Sequence, residues 1–448
     1  MTKYWGDSNI RAVFRLSSAH LVVGMLATAP LASAAVFKDP VAGELVATIA
    51  PAVVNPNAAV PISKQFFGLH IHRAADLKAW PTARAGSWRL WDTYTTWRDL
   101  EPKKGQWNFA QLDFNVNFAV QRGVEILLPL GSTPAWASAR PTESCAYGLG
   151  CAAEAQNTQD WRNYVRTVAT RYKGKIKQFE LWNEVNLTPF YSGTPEKLLE
   201  LQKIAYEEIK AVDQSNILVA PSFTGNNPNE LYKFDRYLAL GAGNYSDVIS
   251  YHFYTPKSSP EAAIPLVGEI RKIMRKRSVD RKPLWNTESG WALINNDGTP
   301  LPATLNPDWR KLNNELGAAY LARAYILSAA LGVERHFWYA WDNKTLGLID
   351  PKTRAIKGAA VALTNVATWL TGARVQGCEV VQGNYWGCSF LPPAGGARHI
   401  VWAANDVMGD FSIPNNWDAK DMLGLDGVNA QVPKNRIVKV GSSPVLVY

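Results

Sequence analysis

From about residue 62 the chain alternates short apolar runs with longer stretches that repeat at helical spacing, and this order leaves few folds open. Strands separated by helices pair in parallel, because a crossover between parallel neighbours needs about a dozen residues or more and a helix fills it. Eight runs read as strands: 66–71, 87–90, 125–130, 178–182, 217–220, 248–251, 283–287 and 335–339. Eight is the number that closes a (β/α)8 TIM barrel, here placed at residues 60–372. The intervening segments carry helix signatures. Thr194 before Pro195 predicts an N-cap and a first helical residue, and Leu198, Leu201, Ala205, Ile209 and Val212 then form one buried stripe. Further helices are expected over 313–331 and 358–370.

Beyond Gly372 the pattern changes to short β-rich segments, 379–381, 399–403, 436–440 and 444–447, set between Gly, Pro and Asn turns. They predict a small β-sandwich-like domain over 373–448, with 35–59 contributing a strand at 45–49. Roughly 75 residues is near the lower limit for an independent core, so this domain should pack on the barrel.

The first 34 residues read as an address. Lys3, Arg11 and Arg15 precede an apolar run over 21–31, and Ala32-Ser33-Ala34 supplies a cleavage site. The run is shorter than the roughly 20 residues that span a bilayer, so a cleaved signal peptide is expected rather than an anchor. That implies a secreted or periplasmic protein with no stable membrane insertion after cleavage. Four cysteines fit such a compartment. They fall into two local pairs, Cys145 with Cys151 and Cys378 with Cys388. Local bridges are the favoured connectivity, and a zinc site is the competing reading although neither spacing is C-x-x-C. The formal charge of +9 suits solubility or an acidic polymer, and without a recognisable module it does not indicate nucleic-acid binding. Eighteen Trp against five Met provide flat rings able to stack on ligand rings.

In a (β/α)8 barrel the chemistry lies at the C-terminal ends of the strands. The fourth strand ends in Glu180-Leu181-Trp182-Asn183-Glu184, the seventh in Trp285-Asn286-Thr287-Glu288-Ser289. These strands lie nearly opposite, so two carboxylates can face one pocket. Such a pair cleaves an acetal when one carboxyl protonates the leaving oxygen and the other attacks the sugar carbon or activates water. Such chemistry requires no cofactor and no metal. Either glutamate alone would more often be a salt-bridged surface group, and Glu180 is the rival of Glu184 on its strand.

Leu181-Trp182-Asn183-Glu184 resembles the acid/base motif of the retaining glycoside hydrolases of clan A, and Trp285-Asn286-Thr287-Glu288-Ser289-Gly290 is similar to their nucleophile strand. The ordered set Trp88-Arg89-Leu90-Trp91-Asp92, Trp97, Leu100-Glu101-Pro102, Gly105-Gln106-Trp107-Asn108-Phe109, Leu112-Asp113 and Leu130-Gly131-Ser132-Thr133-Pro134-Ala135-Trp136-Ala137 resembles glycoside hydrolase family 39, in its bacterial exopolysaccharide-hydrolase branch. The resemblance covers about residues 66–345. It implies Glu184 as acid/base, Glu288 as nucleophile, Asn183 on the sugar 2-hydroxyl and Arg89 keeping Glu288 ionised, with a structural ion pair as the alternative for Arg89.

Tyr251-His252-Phe253-Tyr254 closes the sixth strand, and either His252 or Tyr254 is expected to hydrogen-bond Glu288. A buried, internally satisfied histidine is the competing reading of His252. Trp338 and Trp341 are candidate sugar platforms, each balanced against a core tryptophan, and Trp136 and His72 are further candidates. The expected function is therefore a secreted retaining glycosidase acting inside an extracellular or biofilm polysaccharide. An exo-acting β-xylosidase-like enzyme and a non-catalytic polysaccharide-binding protein on the same fold are the alternatives.

Overall fold

The computed structural model describes residues 60–77 and 80–448, together with the backbone of two short strands, Phe37–Lys38 and Leu45–Val46. The expected signal segment lies outside the described residues.

All eight barrel strands form where the apolar runs place them: β1 Phe67–His70, β2 Ser87–Arg89, β3 Glu125–Leu130, β4 Gln178–Leu181, β5 Ile217–Val219, β6 Ile249–Tyr251, β7 Leu284–Ser289 and β8 Arg335–Trp338. They pair in parallel in the order β6-β7-β8-β1-β2-β3-β4-β5. A parallel bridge between Val219 and Val248 brings the two ends of the sheet together, with the Ala220 N–H on the Val248 carbonyl at 2.9 Å. Inside the sheet Leu127, Val219, Val248, Trp285 and Phe337 fill the lumen, so the barrel is packed rather than hollow.

The outer helices are α1 Ala110–Val120, α2 Thr158–Arg171, α3 Pro195–Val212, α4 Pro228–Ala239, α5 Ala263–Lys276, α6 Asn314–Ala330 and α7 Gly358–Leu370. Their starts follow capping chemistry. Thr194 accepts from the Lys197 N–H at 3.2 Å, and Asn313 accepts from the Leu316 N–H at 2.8 Å. The basic stretch 271–282 lies on α5 and the turn after it. Its charges are tied down locally: Lys276 and Arg277 hold Asp235, and Lys282 donates to the Ser246 carbonyl.

The C-terminal region is antiparallel, as expected. Strands β9 Arg374–Val381, β10 Tyr385–Leu391, β11 Arg398–Ala403, β13 Asp421–Leu423, β14 Asn429–Gln431 and β16 Val445–Val447 form one sheet in the order β9-β10-β11-β16-β13-β14. A ladder of β12 Gly409–Ser412 with β15 Ile437–Val440 pairs separately. Strand periodicity divides the burial. Val401, Ala403 and Val447 join Phe411, Val438 and Val440 in a local core, while Trp402, Ile400 and Leu446 join the barrel's core. Of the strand expected over 45–49, Leu45–Val46 is described and pairs with Phe37–Lys38 rather than with the C-terminal sheet, and 47–49 lie outside the described residues. Both local disulfides form, Cys145–Cys151 and Cys378–Cys388, and the second joins directly facing residues of β9 and β10.

Candidate active site

The barrel mouth is organised around Arg89, the last residue of β2, which is fully buried. Its Nε donates to Glu180 Oε2 at 2.6 Å, its Nη1 to Glu288 Oε2 at 2.9 Å and its Nη2 to Asn183 Oδ1 at 2.8 Å. One planar fork thus fixes side chains from β4, from the turn after β4 and from β7, a geometry lysine could not supply.

Two local departures from regular backbone aim these side chains. After β4 the chain turns off the sheet through Trp182 and Glu184, both left-handed at φ 58° and 42°. Left-handed non-glycine residues are costly, and they persist only where surrounding contacts hold them. Here the Trp182 N–H meets the Leu130 carbonyl at 2.6 Å, its indole donates to the Phe190 carbonyl at 2.7 Å, and the Glu184 N–H donates to Ser222 Oγ at 3.1 Å. In β7 the register against β8 shifts between Asn286 and Ser289. Such an irregularity re-aims side chains, and consecutive residues both reach inward: Thr287 Oγ1 donates to Glu180 Oε1 at 2.8 Å, while Glu288 meets Arg89. His70, at the end of β1, contacts the Thr287 carbonyl through Nε2 at 3.0 Å and braces the same strand.

Glu184 and Glu288 face one another. One oxygen of each carboxylate and a ring nitrogen of His252 all lie within 4.8 Å of one another. Tyr254 donates its hydroxyl to Glu288 Oε1 at 2.9 Å. His252 does not take Glu288, as one of the two expectations had it; its Nδ1 lies 3.0 Å from Glu184 Oε1. The two side chains leave β6 toward opposite members of the pair. Glu180 is wholly buried below them, deeper than Glu184, as its position one pleat earlier predicts.

Burial pushes both carboxyls up, each to about 7. Arg89 opposes that rise at both, Asp92 adds to it at Glu184, and the Arg89 guanidinium and the Tyr254 hydroxyl touch Glu288 directly. The Arg89 and Tyr254 contacts favour the ionised form of Glu288, and a charge on either carboxyl favours the proton on the other. Burial also pushes His252 down to about 4, so it is neutral at pH 7. Glu184, His252 and Glu288 are the one metal-ligand-like trio found among the described residues. A cation there would sit against the Arg89 guanidinium, which already neutralises Glu288, and this donor set fits a metal poorly.

The tryptophans expected as platforms lie elsewhere. Trp338 is fully buried, with its face on Trp291 at 6.0 Å and its Nε1 on the Leu346 carbonyl at 3.0 Å, so neither face nor donor is free for a sugar. Trp341 is buried in the main core. Trp136 meets Trp97 edge-on at 5.9 Å, donates to the Glu101 carbonyl at 2.8 Å and carries Lys104 over its ring. Trp338 and Trp341 follow the core reading, whereas Trp136 is half-buried against the core. His72 stays near the site, its ring 4.8 Å from that of Tyr339 and its Nε2 without a partner among the described residues.

Apart from Tyr254, the aromatic lining comes from residues that sequence reasoning did not single out as site residues. Trp91, Tyr147, Phe190, Tyr254, Trp309 and Tyr339 form one cluster beside the carboxylates. Asp92 ties two of them, accepting from Tyr147 at 2.7 Å and from Tyr339. Asp92 stands inside the quoted Trp88–Asp92 motif, and Tyr147 inside the Cys145–Cys151 loop, so the signals were adjacent.

Comparison with known proteins agrees with this architecture. Residues 92–190 match glycosyl hydrolase family 10. Endo-1,4-beta-xylanase 3 of Hypocrea jecorina is 37% identical over 89 residues, 20% of this chain and 24% of the xylanase. The chain thus matches about a quarter of the length of its curated relative. Among solved structures, a family 39 glycoside hydrolase from the gut symbiont Bacteroides cellulosilyticus superposes with a TM-score of 0.65 at 18% identity, covering 90% of this chain and 84% of that one. A monomeric beta-xylosidase from Caulobacter crescentus superposes with a TM-score of 0.60 at 15% identity, covering 86% and 96%. The fold is therefore that of the clan A glycoside-hydrolase barrels, family 39 among them, with family 10 matching over the segment from β2 into the loop after β4.

Proposed function

We propose that this chain is a secreted retaining glycoside hydrolase that cleaves within an extracellular polysaccharide by double displacement. The observation that carries the reading is the gap between Glu184 and Glu288, whose near oxygens lie within 4.8 Å. Retaining enzymes hold the two carboxyls about 5–5.5 Å apart, whereas inverting ones leave about 6.5–9.5 Å for a water.

The charges divide the roles. Glu184, holding the proton, donates it to the leaving glycosidic oxygen. Glu288, ionised beside Arg89 and Tyr254, attacks the anomeric carbon, and the bond from that carbon to the leaving oxygen breaks. Water then attacks the glycosyl–Glu288 ester, with Glu184 now taking its proton. Arg89 accounts for the Asn183 carbonyl oxygen, which leaves the Asn183 amide nitrogen to donate to the sugar 2-hydroxyl. Internal cleavage is favoured by the aromatic-lined mouth and by the match to an endo-xylanase. An exo-acting reading draws support from the likeness to a beta-xylosidase barrel.

A hydrolysis screen over xylan and purified bacterial exopolysaccharides, with product sizes followed in time, separates the two. Mixed oligomers released early mean internal cleavage, and monosaccharide alone means chain-end cleavage. Glu288→Ala should lower turnover by on the order of 10⁴-fold or more, and added azide should restore part of it as the inverted glycosyl azide. Wild-type turnover in that variant would remove Glu288 from the role. Export predicts a mature protein beginning at Ala35, read by intact mass.

A further inference from the structure

We propose that Tyr94 is the stacking platform of an outer sugar subsite, held at the rim by the turn after β2 and the disulfide-closed Cys145–Cys151 loop. The inference rests on the hydrolase reading and adds a substrate feature, a chain extending several rings beyond the bond cleaved.

Three aromatic side chains stand out as strongly exposed among the described residues: Phe114, Tyr232 and Tyr94. Phe114 and Tyr232 lie on the outer helices α1 and α4. Tyr94 lies on the C-terminal rim, five residues after Arg89, a length of chain that reaches at most about 17 Å. It is 71% exposed, yet Thr93 and Thr95 on either side are 1% and 0% exposed.

The turn carrying it is both strained and braced. Asp92 and Tyr94 are left-handed, at φ 58° and 56°, where glycine would be relaxed. Thr93 and Thr95 share a hydroxyl hydrogen bond at 2.7 Å beneath the ring. Asp92 accepts from the hydroxyls of Tyr147 and Tyr339, and Arg98 donates to the Tyr147 carbonyl. Tyr147 belongs to the loop closed by Cys145–Cys151. The exposed phenol therefore stands on a rigid base continuous with the aromatic wall of the site. A flat ring offered to solvent on such a base suits the apolar face of a pyranose ring, and a rigid ring loses little entropy on binding.

The test compares 4-nitrophenyl β-xyloside, β-glucoside and β-mannoside with xylohexaose, cellohexaose and mannohexaose, in the parent, Tyr94→Ala and Tyr94→Phe. For the sugar that the parent cleaves, Tyr94→Ala should lower the ratio of hexaose to aryl-glycoside kcat/KM about tenfold, through KM, a change of about 1.4 kcal/mol. Tyr94→Phe should keep the ratio within about twofold of the parent. An unchanged ratio in Tyr94→Ala overturns the subsite. A parent that cleaves aryl glycosides but no hexaose also overturns it while leaving the hydrolase reading standing; cleavage of neither, nor of any polysaccharide in the screen above, overturns both.

Discussion

Among the described residues two arginines are fully buried between carboxyl groups, and they do different things. Arg89 sits at the barrel mouth with Glu180 and Glu288. Arg323, on α6, sits beneath the C-terminal sheet with Glu261 and Asp406. Around Arg323 each acid has further partners, and Asp406 also has Arg310 at 3.9 Å. Trp402 donates to Glu261 Oε1 at 2.8 Å and Tyr320 to Asp406 Oδ2 at 2.9 Å, so two acids meet one buried guanidinium and neutral donors from both domains. Around Arg89 a third carboxyl, Glu184, crowds the same pocket, and its nearest side-chain partner is the neutral His252. A matched cluster clamps two layers together. A cluster with one carboxyl too many must hold a proton in a low-dielectric pocket, and a held proton next to an ionised group is what acid-assisted chemistry needs.

Removing the surplus carboxyl is the sharpest way to break the comparison. Glu184→Gln should lower kcat/KM on polysaccharide about 10²–10⁴-fold, and far less on 2,4-dinitrophenyl glycosides, whose leaving group needs no proton. The same variant carries a stability signature. A carboxyl raised from 4.5 to about 7 in the fold contributes stability that is complete below pH 4.5 and is lost as pH rises through 7. Glu184→Gln should therefore flatten the fall in Tm between pH 5 and pH 8. Equal losses on both substrate types would reassign the proton donor. At the clamp, Arg323→Met should cost about 3–5 kcal/mol of stability, because Glu261 would be left buried without its cation. Its kcat, measured well below its Tm, should match the parent. A large loss of kcat there would mean that the clamp also shapes the site.

The sequence made much of this legible. Apolar runs located all eight strands because a parallel strand is buried on both faces, and these strands leave few positions exposed. Glu184 and Glu288 could be placed because strand ends are where barrel chemistry lies, and the motifs around them are dense. The lining was harder to read. Trp338 is the larger ring, but it turns outward onto Trp291 while the next residue, Tyr339, enters the cluster beside the carboxylates. Which of two adjacent aromatics faces the mouth is decided where the strand ends, and the pleat no longer fixes parity there. Tyr147 was hidden for a different reason: it lies in a loop, brought to Asp92 by a disulfide and a tertiary hydrogen bond that carry no periodic signal. In the C-terminal region Asp421–Leu423 is only three residues long and half-buried, and Asn429–Gln431 is exposed with two polar residues of three, so no apolar run marked them.

The smallest expected effect sets two like hydrogen bonds against each other. Tyr254 donates to Glu288 and Tyr320 to Asp406, each at 2.9 Å. The Tyr254 hydroxyl favours the ionised form of Glu288, so Tyr254→Phe should raise that carboxyl's pKa above its already elevated value. A hydrogen bond to a charged group is worth about 1.5–3 kcal/mol and one pKa unit is about 1.4 kcal/mol. The acidic limb of the kcat/KM profile should therefore move up by about one to two units. The alkaline limb, set by loss of the Glu184 proton, should move less. Tyr320→Phe removes the matching bond at the clamp, where no proton is in play, and should lower Tm slightly while leaving both limbs in place. If the two variants gave the same pH profile, the distinction drawn between a matched and a surplus cluster would fail, and Tyr254 would be a structural contact like Tyr320.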